Sequence, residues 1–422
     1  MERLRLFPDS AAIEGGELTL GDVAVSTLAE QFGTPLVVYC ERTLLASARA
    51  YREAAPKALL LYSVKAFPSV AVLRLLAAEG LGADVSTLGE LMFARAAGVP
   101  GERIVVHGNN KSDEELQAAV DAAARFVVID AEDEIPRAAT AEVRRVLVRV
   151  TPGIDADTHA AIRTAHHGSK FGLAPDDALR AIVSARQAGL EVLGLHIHIG
   201  SQLLDTQAAR TSVDWLGGFA ADCRAELAWE PAVVDLGGGL GVAHVEGEQA
   251  PAAGEFVRAL LERLRHAWAL HGLTVPEVVL EPGRSLVGRA GLTLYRVGVV
   301  KAASETTTYV AVDGGMSDNP RPQLYAVRYG ALLANRAEEP AAGKYAVCGK
   351  HCESGDVLID SVELPEPRRG DLLTVPATGA YTLAMGSNYN AVPRPAAVLV
   401  SNGAARLIRR RETVGDLLAL EA

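Results

Sequence analysis

Between residues 58 and 285 the chain alternates two textures. Short, nearly continuous apolar runs recur at Ala58–Ser63, Leu81–Val85, Arg103–His107, Phe126–Asp130, Val146–Val150, Val192–His198, Ala232–Leu236 and Glu277–Glu281. Runs of this kind predict parallel strands covered on both faces. Segments with apolar residues at helical spacing lie between them: Ser69–Ala78, Thr87–Ala97, Ser112–Ala123, Pro175–Ala188, Asp205–Leu227 and Gly254–His271. Ser112 is predicted to cap the third of these, with Glu115 reaching back to it. Eight strand–helix units over roughly 230 residues predict a closed (β/α)8 barrel, with an open doubly wound sheet as the competing arrangement.

After residue 285 the pattern shortens. Leu292–Lys301, Thr308–Asp313, Lys344–Cys348, Asp371–Thr374 and Ala396–Val400 are strand-like and separated by Gly and Pro turns. They predict a second, mostly β domain of sandwich or barrel type. The first 35 residues lack the barrel pattern and are expected to join it. The expected division is a barrel over 36–285 and a β domain made of 1–35 and 286–422.

Composition narrows the function classes. The chain has 422 residues, is 49% apolar and carries 41 basic against 52 acidic residues, a net charge of −11. It is neither disordered nor a coiled coil. Its acidity argues against a nucleic-acid partner. Four scattered cysteines are no disulfide framework. No apolar run reaches the roughly 18 residues of a membrane helix, and MERLRLFPDS lacks a signal-peptide pattern. A soluble cytoplasmic protein is expected.

Barrel enzymes carry their chemistry at the C-terminal ends of the strands. Polar residues gather there: Lys65, Asp84, His107, Arg149, His196, His198, Ser201, Asp235, Glu281 and Arg284. A lysine closing an apolar strand is costly to bury in its charged form. It is either a nucleophile toward carbonyls or a side chain reaching out to solvent. Gly237–Gly241 offers backbone N–H groups with no Cβ in the way, which suits a phosphate and equally a tight barrel loop. It is no dinucleotide fingerprint, because Val242 and Ala243 follow. Glu281-Pro282-Gly283-Arg284 sets a carboxylate and a guanidinium at one strand end. His196 and His198 share a strand face. A metal is disfavoured, since the further His and Asp ligands of metal-dependent barrels are missing, and no metal is expected. One of the two suits stacking on an aromatic cofactor. His166-His167 reads as a solvated loop pair. In the β domain, turn chemistry explains Gly, Asn and Pro but not Arg321, Tyr325, Cys352, Glu353 and Tyr381 among them.

Nine stretches, in order along nearly the whole chain, then carry a resemblance: YSVKAF (62–67), GADVSTLGEL (82–91), SKFG (169–172), HIHIGSQ (196–202), DLGGGLG (235–241), EPGRSLVG (281–288), VDGGMSDNPRPQLY (312–325), CESGD (352–356) and GAYTLAMGSNYN (379–390). Together they resemble the barrel-type, alanine-racemase-like (fold type III) pyridoxal-phosphate decarboxylases, and among these the diaminopimelate decarboxylases.

The resemblance implies roles. Lys65 would carry pyridoxal 5'-phosphate covalently and His198 would stack on its ring. Ser201, Gly238, Gly239, the backbone at Gly283 and Arg284, and Tyr381 would hold the phosphate. Glu281 would pair with the ring nitrogen and keep it protonated, which strengthens the electron sink. Asp84 and Arg149 would support these groups. Arg284, Arg321, Tyr325, Glu353 and Tyr381 would grip the substrate. Cys352 would deliver a proton, supplied in the family by the neighbouring subunit of a homodimer whose active sites lie at the interface. An acid and two arginines at the distal end suit a substrate that ends in both amine and carboxylate. The expected reaction is therefore decarboxylation of meso-2,6-diaminopimelate to L-lysine and carbon dioxide, the last step of lysine synthesis. The alternatives are a decarboxylase of another basic amino acid or of a carboxylated polyamine, and a non-catalytic cofactor-binding homologue.

Overall fold

A computed structural model describes residues 4–152, 169–198 and 200–422. The apolar runs between 58 and 285 form the strands they predict: β1 (Leu59–Ser63), β2 (Gly82–Val85), β3 (Ile104–Val106), β4 (Phe126–Ile129), β5 (Arg145–Arg149), β6 (Glu191–His196), β7 (Val233–Asp235) and β8 (Glu277–Leu280). Each pairs in parallel with its neighbours in sequence, and β8 closes on β1 through Val279–Leu59 and Leu280–Leu60. The result is the closed barrel, not the open sheet. Side chains fill its interior, with Leu59, Leu61, Val105, Phe126, Val128, Leu147, Val233 and Val279 in one buried cluster. Capping chemistry sets where several helices begin. Ser69, Thr87 and Ser112 cap Val70–Ala78, Leu88–Ala97 and Asp113–Asp121, and Ser112 with Glu115 completes a capping box.

The chain divides into two compact units. One comprises residues 47–241 and 250–285 and holds the barrel; the other comprises 1–46, 242–249 and 286–422. The division departs from the expected one at two places. Leu36–Cys40, expected in the barrel, pairs antiparallel with Gly291–Ala302 and parallel with Ala396–Ser401. All five of its residues are buried. A continuous apolar run shows that a strand is covered on both faces but not which sheet covers it. Residues 242–249 likewise belong with the β unit although they lie within the barrel's stretch of sequence.

The β unit is built on one branched nine-stranded sheet. It includes all five late strands the sequence predicts, and adds Val357–Leu364 at one edge and Ala404–Arg409 at the other. Polar residues interrupt these two partly exposed edge strands and hide them from a search for apolar runs. The N-terminal segment contributes Leu6, Phe7, Leu18, Leu20 and Leu28 to the same core as Leu292, Leu294 and Val398.

Two buried polar arrangements carry stability consequences. In the barrel unit Lys111 and Glu134 are about as buried as any side chains, at 1% and 2% exposure, with Nζ 3.0 Å from Oε1. Nζ also donates to the carbonyls of Gly108 and Val128, and Glu134 accepts the N–H of Asp130. Burial pulls the Lys111 ammonium below its ordinary pKa while Glu134 opposes the shift. A satisfied buried pair is not itself strong stabilisation, but a widowed member is costly. Glu134→Ala should destabilise the protein by about 3–5 kcal/mol, lowering the thermal midpoint, and Lys111→Met added to it should restore most of the loss.

In the β unit Asp318 is buried and accepts from Tyr295 Oη and, at 2.8 Å, from the N–H of Gly315. Burial lifts its carboxyl to about 7, against the pull of these bonds. A carboxyl raised in the folded state adds stability that is complete below its unfolded pKa, near 3.8, and is lost as pH rises through about 7. Asp318→Asn should therefore flatten the decline in stability between about pH 4 and 7, measured by denaturant melts across that range.

Candidate active site

The C-terminal rim of the barrel collects the groups that the sequence singles out. β1 ends at Ser63 and the chain turns through Val64–Ala66, which aims Lys65 over the rim. Lys65 Nζ lies 3.1 Å from Asp84 Oδ2 on β2. Its side chain keeps 42% exposure while Asp84 keeps 1%. Ser63 Oγ donates to the same Asp84 oxygen. The lysine side chain is thus partly exposed while its amine is anchored by a buried acid.

Glu281 follows β8 and is buried. His107, one residue past β3, sets Nε2 2.6 Å from Glu281 Oε1, and His196, the last residue of β6, sets Nε2 3.7 Å from Oε2. The two imidazoles meet edge to face, with ring centres 4.9 Å apart. Burial alone would raise the Glu281 carboxyl, but His107 and His196 outweigh it and hold the group well below its usual range. Burial likewise lowers His196, to about 4. His198, half-buried two residues on, is pushed well below its ordinary pKa by burial, Lys65 and Arg149. It is neutral near pH 7. Atoms of His107, His196 and Glu281 lie within 4.8 Å of one another, so the trio that the sequence only partly signals is a structural centre of the rim. In the sequence His107 is a strand end with no role assigned to it. Nothing in its local pattern connects it to a glutamate 174 positions away.

The turn after β7 packs against both neighbouring strand ends. A Cβ at Gly238 would stand 2.3 Å from the carbonyl oxygen of Glu281, and Gly237 has φ +64°. Neither position accepts another residue without movement. Leu203 N–H donates to the carbonyl of Gly239, so residues 200–203 lie along the turn. Gly238 N–H points to His198 Nδ1 at 3.5 Å. Arg284 Nη2 donates to Ser201 Oγ at 3.0 Å. Glycine amides, a serine hydroxyl and a guanidinium are thus assembled on one side of the rim.

Arg149, at the end of β5, is buried and bonds Asp130 Oδ1 at 3.2 Å, and its guanidinium covers the Phe171 ring at 4.7 Å. The second Asp130 oxygen accepts the N–H of Gly172 at 2.9 Å. Asp130 therefore ties Gly172 of the SKFG stretch to Arg149, a link that no sequence pattern shows. His166 and His167 lie outside the described residues.

The remaining candidates belong to the β unit. Arg321 is 2% exposed. Its guanidinium lies 5.3 Å from the Tyr325 ring centre and 5.9 Å from that of Tyr381. Cys352 and Glu353 sit on an exposed loop. Asp356 fixes that loop: its two oxygens accept the N–H groups of Met316 and His351 at 2.7 and 2.9 Å. Gln323 ties the Arg321–Tyr325 turn to the same loop through the carbonyls of Gly355 and Val357. Arg321, Tyr325, Cys352 and Glu353 are thus carried on connected segments, and Tyr381 meets them through Arg321. Asp356 and Gln323, which connect them, drew no sequence-based assignment.

Comparison with known proteins agrees with this chemistry. Residues 41–288 match the family described as "Pyridoxal-dependent decarboxylase, pyridoxal binding domain". The chain is 46% identical to a diaminopimelate decarboxylase of Actinosynnema pretiosum subsp. auranticum, over 99% of this chain and 95% of that one. It is 42% identical to the enzyme of that name from Bacillus subtilis, over 96% and 95%. Among solved structures, a diaminopimelate decarboxylase from M. jannaschii in complex with L-lysine is 33% identical, covers 98% of each chain and superposes with a TM-score of 0.91. One from Helicobacter pylori, also with L-lysine, is 30% identical and superposes with a TM-score of 0.87 over 94% of this chain and 99% of that one. A lysine at an acid-lined strand end, a buried anionic glutamate and a glycine-rich turn are what a pyridoxal-dependent decarboxylase needs, and with the match over 41–288 this chain belongs to that family.

Proposed function

We propose that the protein decarboxylates meso-2,6-diaminopimelate to L-lysine and carbon dioxide, completing lysine synthesis in the cytoplasm, and that it works as a homodimer with an active site at each interface. The observation that carries this reading is the barrel rim with its Lys65–Asp84 and Glu281–His107 pairs. That rim lies in a chain 46% identical, almost end to end, to a diaminopimelate decarboxylase.

The donor set fits pyridoxal phosphate. Ser201, the amides of Gly238 and Gly239, the backbone at Gly283–Arg284 and Tyr381 are proposed to hold the phosphate. Lys65 is proposed to hold the cofactor covalently, with Asp84 steering its amine. The neutral imidazole of His198 suits stacking on a ring, because it brings no charge beside a protonated one. Glu281, kept anionic by two imidazoles, suits a protonated ring nitrogen. When bound, the cofactor supplies a sink for the electron pair released with carbon dioxide. The chain's own contributions are orientation and protons. Arg149 backs the rim from Asp130 and Phe171. Arg284 and Arg321 are assigned the distal carboxylate, Glu353 the distal amine, and Tyr325 and Tyr381 frame Arg321. Cys352 of one subunit is proposed to deliver a proton to the carbon that has lost its carboxylate at the partner's site. A diamine precursor such as ornithine has no distal carboxylate for the arginines to grip.

Purified protein should take up pyridoxal phosphate with a visible absorbance band that Lys65→Ala abolishes, along with turnover. Carbon dioxide release should favour meso-diaminopimelate over ornithine, arginine and lysine, and a preference for ornithine would defeat the substrate assignment. Arg321→Lys keeps the charge but loses the planar fork. It should lower kcat/KM for meso-diaminopimelate by about 10- to 100-fold and leave the absorbance band in place.

A further inference from the structure

A second acid stands behind Glu281 that none of these roles uses. Asp235 ends β7 and has no solvent exposure. Its Oδ1 accepts the N–H of Gly237 at 2.8 Å. This side-chain turn sets the direction of the glycine loop at its first residue, where φ is +64°. Its other oxygen, Oδ2, has no hydrogen-bond partner among the described residues. The neighbour that bears most on this carboxyl is Glu281, and Asp84 adds further negative charge.

An ionised Asp235 would therefore have one bare oxygen and face another carboxylate in a site closed to water. Both conditions disfavour the charged form. A proton removes the two problems together, because it turns the bare oxygen into a donor for which Glu281 is an acceptor. Between the two acids, Glu281 is the one with an imidazole at 2.6 Å and a second at 3.7 Å, so it is the better stabilised anion. Burial, and Glu281 after it, lift the Asp235 carboxyl well above its usual range, in agreement with the geometry.

We propose that Asp235 is a positioning residue that works as a neutral carboxylic acid, tying the first residue of the glycine loop to the carboxylate of Glu281. The proposal rests on the reading of the rim as a pyridoxal phosphate site. The loop assigned to the phosphate and the acid assigned to the ring nitrogen are then fixed to one another by a single side chain. Neutrality has a second consequence: Asp235 adds no negative charge to compete with Glu281 for the proton on that nitrogen.

Asn is the neutral isostere. Its amide oxygen can accept from Gly237 and its amide nitrogen can donate to Glu281. Titrated with pyridoxal phosphate and followed by absorbance, Asp235→Asn should bind within about threefold of the unaltered protein, and Asp235→Ala should bind about tenfold more weakly or worse. Loss in Asp235→Asn equal to that in Asp235→Ala overturns neutrality, and unaltered binding by Asp235→Ala overturns the positioning role. An infrared measurement on cofactor-free protein labelled with carbon-13 aspartate decides the charge state directly, whether or not the variants fold. It is recorded well above pH 7, where Asp318, raised to about 7, is ionised. A protonated carboxyl stretch is expected, and its absence overturns the proposal. Because that measurement needs no cofactor, its outcome is separate from the failure of the cofactor reading itself, which would appear as no binding by the unaltered protein.

Discussion

Glu281 sets the terms for the barrel rim. A carboxylate almost without solvent can stay ionised only if its neighbours replace water, and this one is served by imidazoles from two other strands. Barrel closure makes that possible. His107 follows β3, His196 ends β6 and Glu281 follows β8, so the three converge only when β8 pairs with β1. An open sheet of the same strands would have two free edges where the ring now closes. The catalytic electrostatics and the topology are therefore one constraint.

That constraint divides what the sequence could reveal from what it could not. The eight apolar runs locate the strands to within a residue or two, because burial on both faces leaves an uninterrupted apolar signal. Lys65, Asp84, Arg149, His198, Arg284 and Glu281 were legible as polar residues closing such runs. The pairings among them were not. His107 against Glu281 and Asp130 against Arg149 and Gly172 join residues separated by 174, 19 and 42 positions. Such contacts leave no periodic trace along a chain. The β unit was less legible for a related reason. Its edge strands are partly exposed and broken by polar residues, while Leu36–Cys40 imitates a barrel strand because a central strand of any well-covered sheet is apolar throughout.

The overall charge of −11 is a weak guide to the rim. Three cations of the barrel unit come with acids: Lys65 with Asp84, Lys111 with Glu134, Arg149 with Asp130. The pairs differ in purpose according to burial. Lys111 and Glu134 are sealed, and fix the β3 and β4 ends in place. Arg149 is buried against Phe171. Lys65 alone of the three keeps a partly exposed side chain, which suits a residue that must meet a cofactor. Exposure, more than charge, separates the working pair from the structural ones.

The same logic accounts for two acids at one rim with opposite tendencies. Glu281 and Asp235 are both buried, and burial pushes both toward the neutral form. What differs is the company of each oxygen. Imidazoles reach Glu281 and draw it down, while Asp235 has a carboxyl for a neighbour, which draws it up against the weaker pull of one backbone N–H. Exchanging the two residue types would not exchange their states, because the states belong to the positions. A site that needs an anion facing one way and a neutral acid behind it can thus be built from two carboxyls, provided the strand ends deliver the imidazoles to only one of them.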